Sequence, residues 1–237
     1  MATYARVGAK KEYPLISQGT HVGTIYKFMN LGTRYQEFKG VLKDYPDTLI
    51  SITFETDEEH EFTFKKEDST EEKVTKPLVI SKEFTLSMGA KSNLRPFVEG
   101  VIGVKLTDEE AAHFDLEDLL GRSCLVSIVH KESKDGRVFA NIAGTSPLMK
   151  NMQPPVLVNN ITLFDINTAT LEEVEALPKF AKEKVIISDE YKRRFLAPEP
   201  TPEYASDASK LPEYPEHTVA PSFEKPEEIN PEDIPFN

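Results

Sequence analysis

The chain has 237 residues, 39% of them hydrophobic and 29% charged, with a net charge of −12 that, taken alone, argues against a general nucleic-acid binder. It is long enough to bury a core without disulfides or a structural metal, and its one cysteine, Cys124, excludes an intramolecular disulfide framework and a multi-cysteine zinc site and fits a reducing compartment. No apolar run approaches the roughly 18 residues of a membrane span, and the first residues, with Lys10, Lys11 and Pro14, hold no apolar stretch of the secretory-signal kind.

Residues 1–18 read as an N-terminal arm. His21–Leu31 is rich in β-branched and aromatic residues, predicts a first strand, and stops at Gly32-Thr33. Arg34–Asp47 mixes aromatics, bases and glycine before the turn signal Tyr45-Pro46-Asp47, and is predicted as a long loop. Leu49–Phe54 alternates cleanly and predicts a second strand, with Glu61–Phe64 extending the sheet as a short one. The acidic run on to Thr75 is predicted as a mobile loop. Leu78–Met88 predicts a third strand with Ile80, Lys82, Phe84 and Leu86 on one face.

Helix signals follow. Ser92 is an N-cap candidate ahead of Leu94, Phe97, Val98 and Val101, with Pro96 tolerable in the first turn. Thr107-Asp108-Glu109-Glu110 has the capping-box pattern. Asp115–Leu120 predicts another helical turn, stopped by Gly121. Ser123–Val129 and Val138–Ala143 predict two closing strands joined by the hairpin loop Ser133-Lys134-Asp135-Gly136.

Three strands, a helical insertion and a closing hairpin match the order of the OB-fold, a five-stranded Greek-key barrel, although SH3-like and split barrels share parts of it. The expected fold is therefore mainly β: an OB-like barrel over residues 19–152, with the helical insertion between its third and fourth strands. Pro154-Pro155 then marks a linker. Residues 153–197 are expected to add one or two short helices around Leu171, Val174, Leu177 and Val185–Ile187.

The charge is unevenly placed. Residues 198–237 hold ten acids, two bases and nine of the 17 prolines, a composition that cannot bury enough apolar surface to offset chain entropy, so a disordered tail is expected. A second cluster, Glu55–Glu72, has nine acids against Lys65 and Lys66. The remaining body carries 24 bases against 21 acids, so an acidic total hides a mildly basic core.

Signals for catalysis are weak. None of the five histidines forms HExxH or a close His-Cys cluster, there is no nucleotide-binding or nucleophile-elbow motif, and Cys124 sits in an apolar strand. The carboxylates concentrate in the acidic segments, where a preorganised acid-base pair is not expected. The reading is of a protein without catalysis, cofactor or metal.

Single-strand binding needs planar side chains for bases to stack on and cations that follow the phosphates. Arg34, Tyr35, Phe38, Lys39 and Lys43 supply both in one stretch, which in an OB-fold borders the binding face. Lys82 beside Phe84, then Lys91 and Arg95, form a second basic segment, and Lys131, Lys134 and Arg137 in the last hairpin form a third. The alternative from another class is an interaction or assembly module whose acidic tail only solubilises.

The chain ends Pro231-Glu232-Asp233-Ile234-Pro235-Phe236-Asn237. Glu232–Phe236 closely resembles the acidic tip of bacterial single-stranded DNA-binding proteins, which ends in Asp-Asp-Ile-Pro-Phe after a disordered linker. In that family the Pro-Phe pair enters a hydrophobic pocket on replication and repair enzymes; here Asn237 follows Phe236, so the terminal carboxylate is displaced by one residue. The body has no tryptophan and is unlike the bacterial protein. Instead His21–Gly32, Lys76–Ser87, Ser92-Asn93-Leu94-Arg95, Phe114–Gly121 and Leu177–Tyr191 are similar to single-stranded DNA-binding proteins of tailed bacteriophages. The resemblance covers most of residues 19–196 and implies an OB-fold, a role in DNA replication or recombination, and the host cytoplasm. The partners it implies are single-stranded DNA and, through Glu232, Asp233, Ile234, Pro235 and Phe236, replication, recombination and repair enzymes. Exposed strand edges add a homo-oligomer to the expectations.

Overall fold

The computed structural model describes residues 14–38, 40–65 and 71–196, without the side chains of Phe38, Phe64 and Lys65. The architecture is mainly β. Three long strands, β1 (Gly19–Phe38), β2 (Val41–Lys65) and β3 (Glu71–Thr85), precede the helices α1 (Leu94–Ile102) and α2 (Asp108–Ala112) and a 3-10 turn at Leu116–Leu119. Then come β4 (Ser123–Glu132), β5 (Val138–Pro147) and a short β6 (Thr162–Asp165). Helices α3 (Leu171–Glu175), α4 (Lys179–Val185) and α5 (Asp189–Tyr191) and a π turn at Lys192–Leu196 finish the described chain.

The sheet runs β3-β2-β1-β4-β5, all antiparallel neighbours, and β6 adds in parallel beside β1. On the edge away from β2, strand β1 serves two partners along its length: Gly19–Thr24 pairs with β4 and Lys27–Asn30 with β6. A register shift between Ile25 and Lys27 separates the two stretches.

Both faces of the sheet are covered. Ile25, Phe28, Ile50, Ile52, Phe54, Ile80 and Phe84 join Leu94, Phe97, Val98 and Val101 of α1 in the larger core. Phe97 meets Phe54 edge-on at 5.9 Å and Phe84 at 4.5 Å, geometries that add to simple area burial. Gly100 is required at the α1–β5 contact, since a Cβ there would sit 2.4 Å from the Thr145 carbonyl oxygen. On the other face Met29, Leu31 and Leu49 pack with Phe164, Ile166, Val174 and Val185, so the segment after the Pro-Pro linker builds a second core.

Several expected elements form as read. The capping box of α2 is present, with the Thr107 hydroxyl accepting from the Glu110 amide and the Glu110 carboxylate accepting from the Thr107 amide. Pro96 lies in the first turn of α1. Asp115 caps the 3-10 turn, and Gly121 follows it with φ +79°. Asn93 rather than Ser92 precedes α1, while the Ser92 hydroxyl accepts from the Arg95 amide at 3.3 Å.

Other expectations are corrected. Arg34–Asp47 is not a loop. It is the far half of the β1–β2 hairpin, paired Arg34↔Asp47, Tyr35↔Pro46, Glu37↔Leu42 and Phe38↔Val41. Gly32 does not stop β1; at φ +84° it makes a bulge through which the strand continues. Pro46 is tolerated because β3 joins β2 only from Leu49 onward, leaving one neighbouring strand beside it. The run to Thr75 is likewise mostly strand, with His60↔Lys76, Glu61↔Thr75 and Lys65↔Glu71 in register; residues 66–70 lie outside the described part. Leu86 lies beyond the end of β3 and is exposed.

The sheet is open. Its edges β3 and β5 approach at one point, where the Lys82 ammonium donates to the Ile142 carbonyl at 2.8 Å, but no ladder joins them among the described residues. Ala143 is an extra residue in β5 at this point, since Ser127 pairs with Gly144 and Ile128 with Ile142. The bulge interrupts the edge that a closed barrel would need. No helix among the described residues is long and apolar enough to cross a membrane.

Candidate functional site

A groove of about 1040 Å³ wraps the outer edge of β3. One wall is the outer half of the β1–β2 hairpin, where strand alternation presents Arg34 and Gln36 with Lys43, Tyr45, Asp47 and Leu49. The floor is Lys82–Thr85 of β3, and the far wall is formed by residues leading into α1, including Lys91 and Asn93, and by the bulged Ala143–Thr145 of β5. Gly89 and Gly144 leave backbone at the groove's surface without a side chain over it.

Its charges are largely engaged. Lys43 pairs with the buried Asp47, which also accepts from Gln36 Nε2 at 3.2 Å; the Asp47 bond holds the Lys43 ammonium above its ordinary pKa. Arg34 Nη1 donates to the Lys184 carbonyl at 2.9 Å, fastening the end of α4 to β1. Burial lowers the Arg34 pKa, and the nearby Glu83 partly restores it. The Lys184 ammonium in turn pairs with Glu83. Lys82 lies 5.4 Å from the Phe84 ring and 5.9 Å from the Phe97 ring, and its pKa is lowered first by burial and then by Lys131. Lys91 is exposed and makes no ion pair among the described residues.

The groove thus gathers four of the eleven sequence-derived nucleic-acid residues: Arg34, Lys43, Lys82 and Lys91. Tyr35 alternates to the opposite face of β1 and stays half exposed outside the groove. Phe38 ends β1 at the hairpin tip, and Lys39 lies outside the described residues, as do Glu232, Asp233, Ile234, Pro235 and Phe236. Arg95 faces a separate cleft, where Glu99 at 3.3 Å, Asp108 at 2.5 Å and the Leu106 carbonyl take up its donors. Lys131, Lys134 and Arg137 are exposed on the β4–β5 hairpin and do not line the groove.

Sequence reasoning missed Tyr45 and Glu83. Tyr45 is 62% exposed with the Lys43 ammonium 5.6 Å from its ring centre, so it is the groove's free aromatic face. The spacing Lys43, Tyr45, Asp47, Leu49 already had strand period, but the Tyr-Pro-Asp turn signal outweighed it.

Cys124 is buried, and burial alone pushes its thiol pKa up to about 12, the environment of an unreactive side chain. Among the described residues no group of three or more His, Cys, Asp or Glu side chains is placed to hold a metal ion. Comparison with known proteins finds no family model that matches this sequence and no curated protein with significant similarity to it.

Proposed function

We propose that the chain is a non-enzymatic single-stranded DNA-binding protein that coats DNA without sequence specificity and recruits replication, recombination and repair enzymes through Glu232–Phe236. The observation that carries this reading is the groove, whose lining includes Arg34, Lys43, Lys82 and Lys91 together with the exposed Tyr45 ring. Cations beside an aromatic platform are what a single strand requires, and every base has a face to stack.

The strand order β3-β2-β1-β4-β5, with α1 between β3 and β4, supports an OB-type barrel whose remaining seam lies between β3 and β5. The resemblance of the body to the bacteriophage proteins supports a phage replication or recombination role in the bacterial host cytoplasm. The acidic, proline-rich composition of residues 198–237 supports a tether that presents the tip.

A second reading, a protein-interaction module with a solubilising tail, is favoured by the exposed Tyr35, Val41, Leu42, Val138 and Phe139 on the two hairpins. Fluorescence anisotropy with an unstructured oligothymidylate across a salt series separates the two. A DNA binder loses log affinity linearly with log salt, at about 0.7 per phosphate neutralised. Undetectable or salt-insensitive binding favours the interaction module.

A further inference from the structure

The groove carries two carboxylates, Asp47 and Glu83, among its four lining cations. Neither lies at the rim by accident of a long side chain. Asp47 is 7% exposed and held by Lys43 and Gln36, and Glu83 is held by Lys184 from the opposite, helical side of the sheet. A site shaped only to collect phosphates gains nothing from fixed anions in its lining, because like charges facing a ligand reduce its attraction.

We infer that Glu83, with Asp47, is a specificity-determining anion that makes the groove reject polyanions lacking accessible bases, and this inference rests on the single-strand reading above. Asp47 occupies the groove's own Lys43, and Glu83, paired with Lys184, adds a fixed negative charge to the lining, so an entering polyanion gains less from the lining cations than their number suggests. A single strand recovers what is lost by stacking a base on the exposed Tyr45 ring. A sulfated or phosphorylated polymer without bases cannot, and in a duplex the base faces are already stacked on one another. Discrimination therefore comes from a repulsive element set against the wrong ligand as well as an attractive one for the right ligand.

Lys184 gives the idea a distinct signature. It joins Glu83 to α4, so Glu83→Gln and Lys184→Gln both break the same ion pair, yet one removes a negative charge and the other a positive charge. If Glu83 repels, the two substitutions shift polyanion affinity in opposite directions. If the pair merely holds α4 in place, both shift it the same way.

The test uses the full chain and these two variants, with heparin, a DNA duplex and an oligothymidylate as ligands at low salt, and thermal melts to confirm folding. Glu83→Gln is expected to tighten heparin and duplex binding about tenfold and oligothymidylate binding only about two- to threefold, with Lys184→Gln weakening heparin binding. Equal gains for all three ligands, no gain for heparin, or a same-direction shift in both variants overturns the inference while leaving the groove as the DNA site. If the wild-type chain fails to bind oligothymidylate, the single-strand reading fails and the inference falls with it.

Discussion

Replacing Tyr45 by alanine isolates the groove's aromatic platform. The ring is 62% exposed and sits on β2 opposite no core residue, so its removal opens no cavity and the fold is expected to melt within a degree or two of wild type. Losing one base-stacking ring costs about 1–3 kcal/mol of binding, which is roughly a 5- to 150-fold rise in Kd. The Lys43 ammonium, 5.6 Å from the ring centre, remains paired with Asp47 in the variant, so the electrostatic component is unchanged. The salt slope should then match wild type while the whole line drops, a separation that anisotropy titration at four or five salt concentrations resolves. Tyr35→Ala is the internal control: the same residue type, similarly exposed, ten positions away and on the other face of the hairpin. It should leave affinity within about twofold of wild type. A loss with Tyr35→Ala as large as that with Tyr45→Ala, or no loss with Tyr45→Ala, refutes the assignment of the groove face.

Lys91→Ala should lower the magnitude of the salt slope by about 0.7, one phosphate contact, without changing the melting temperature, because its ammonium makes no ion pair among the described residues. Cys124 sets a pH limit. Its thiol, raised to about 12 in the fold, ionises near 8.5 when unfolded, so the unfolded chain binds fewer protons between those values; stability should fall as pH rises through that window, by at most about 1.4 kcal/mol per pH unit in denaturant titrations. Glu99 acts at the acid end. Lys105, then the Leu106 amide and Arg95 lower its pKa, so its contribution is present above the ordinary carboxylate range and lost as pH falls; Glu99→Gln should lower the melting temperature at pH 7 and flatten the acid side of the stability profile. Deleting residues 198–237 should tighten single-strand binding at low salt, less so at high salt, and abolish enzyme recruitment, whereas Phe236→Ala should abolish recruitment alone, both read by titration and pull-down with host replication enzymes. Tail peptides with and without Asn237, titrated by calorimetry against such an enzyme, show whether a carboxylate on the phenylalanine is read: if it is, removing Asn237 strengthens binding.

Order of elements was readable where one local signal dominated. Leu49–Phe54 alternates because Ile50, Ile52 and Phe54 enter the larger core while Leu49 enters the second. The capping box of α2 and the Asp-Gly hairpin before β5 are chemical signatures that need no tertiary context. What escaped depends on partners distant in sequence. Arg34–Asp47 contains loop-type residues, yet the two long strands stay in register to Phe38↔Val41. Strand β6 spans only Thr162–Asp165, too short for a period, and exists because β4 leaves the middle of β1 unpaired on that side. At the groove, residue types pointed to the hairpin and the strand that line it, but reading Arg34–Asp47 as a loop hid the alternation that turns Tyr35 away from the groove and Tyr45 into its lining. Glu83 was invisible for a related reason: its partner Lys184 lies 101 residues away.

The most direct test of the groove as the DNA path is photocrosslinking to an oligonucleotide carrying 5-bromodeoxyuridine, with the attached residues mapped by mass spectrometry. Crosslinks are predicted in the peptides that contain Tyr45 and Phe84, suppressed by unlabelled oligothymidylate and lost at high salt. Crosslinks confined to Tyr35, to the β4–β5 hairpin or to the helices α3 and α4, with none in the peptide of Tyr45, would contradict the account.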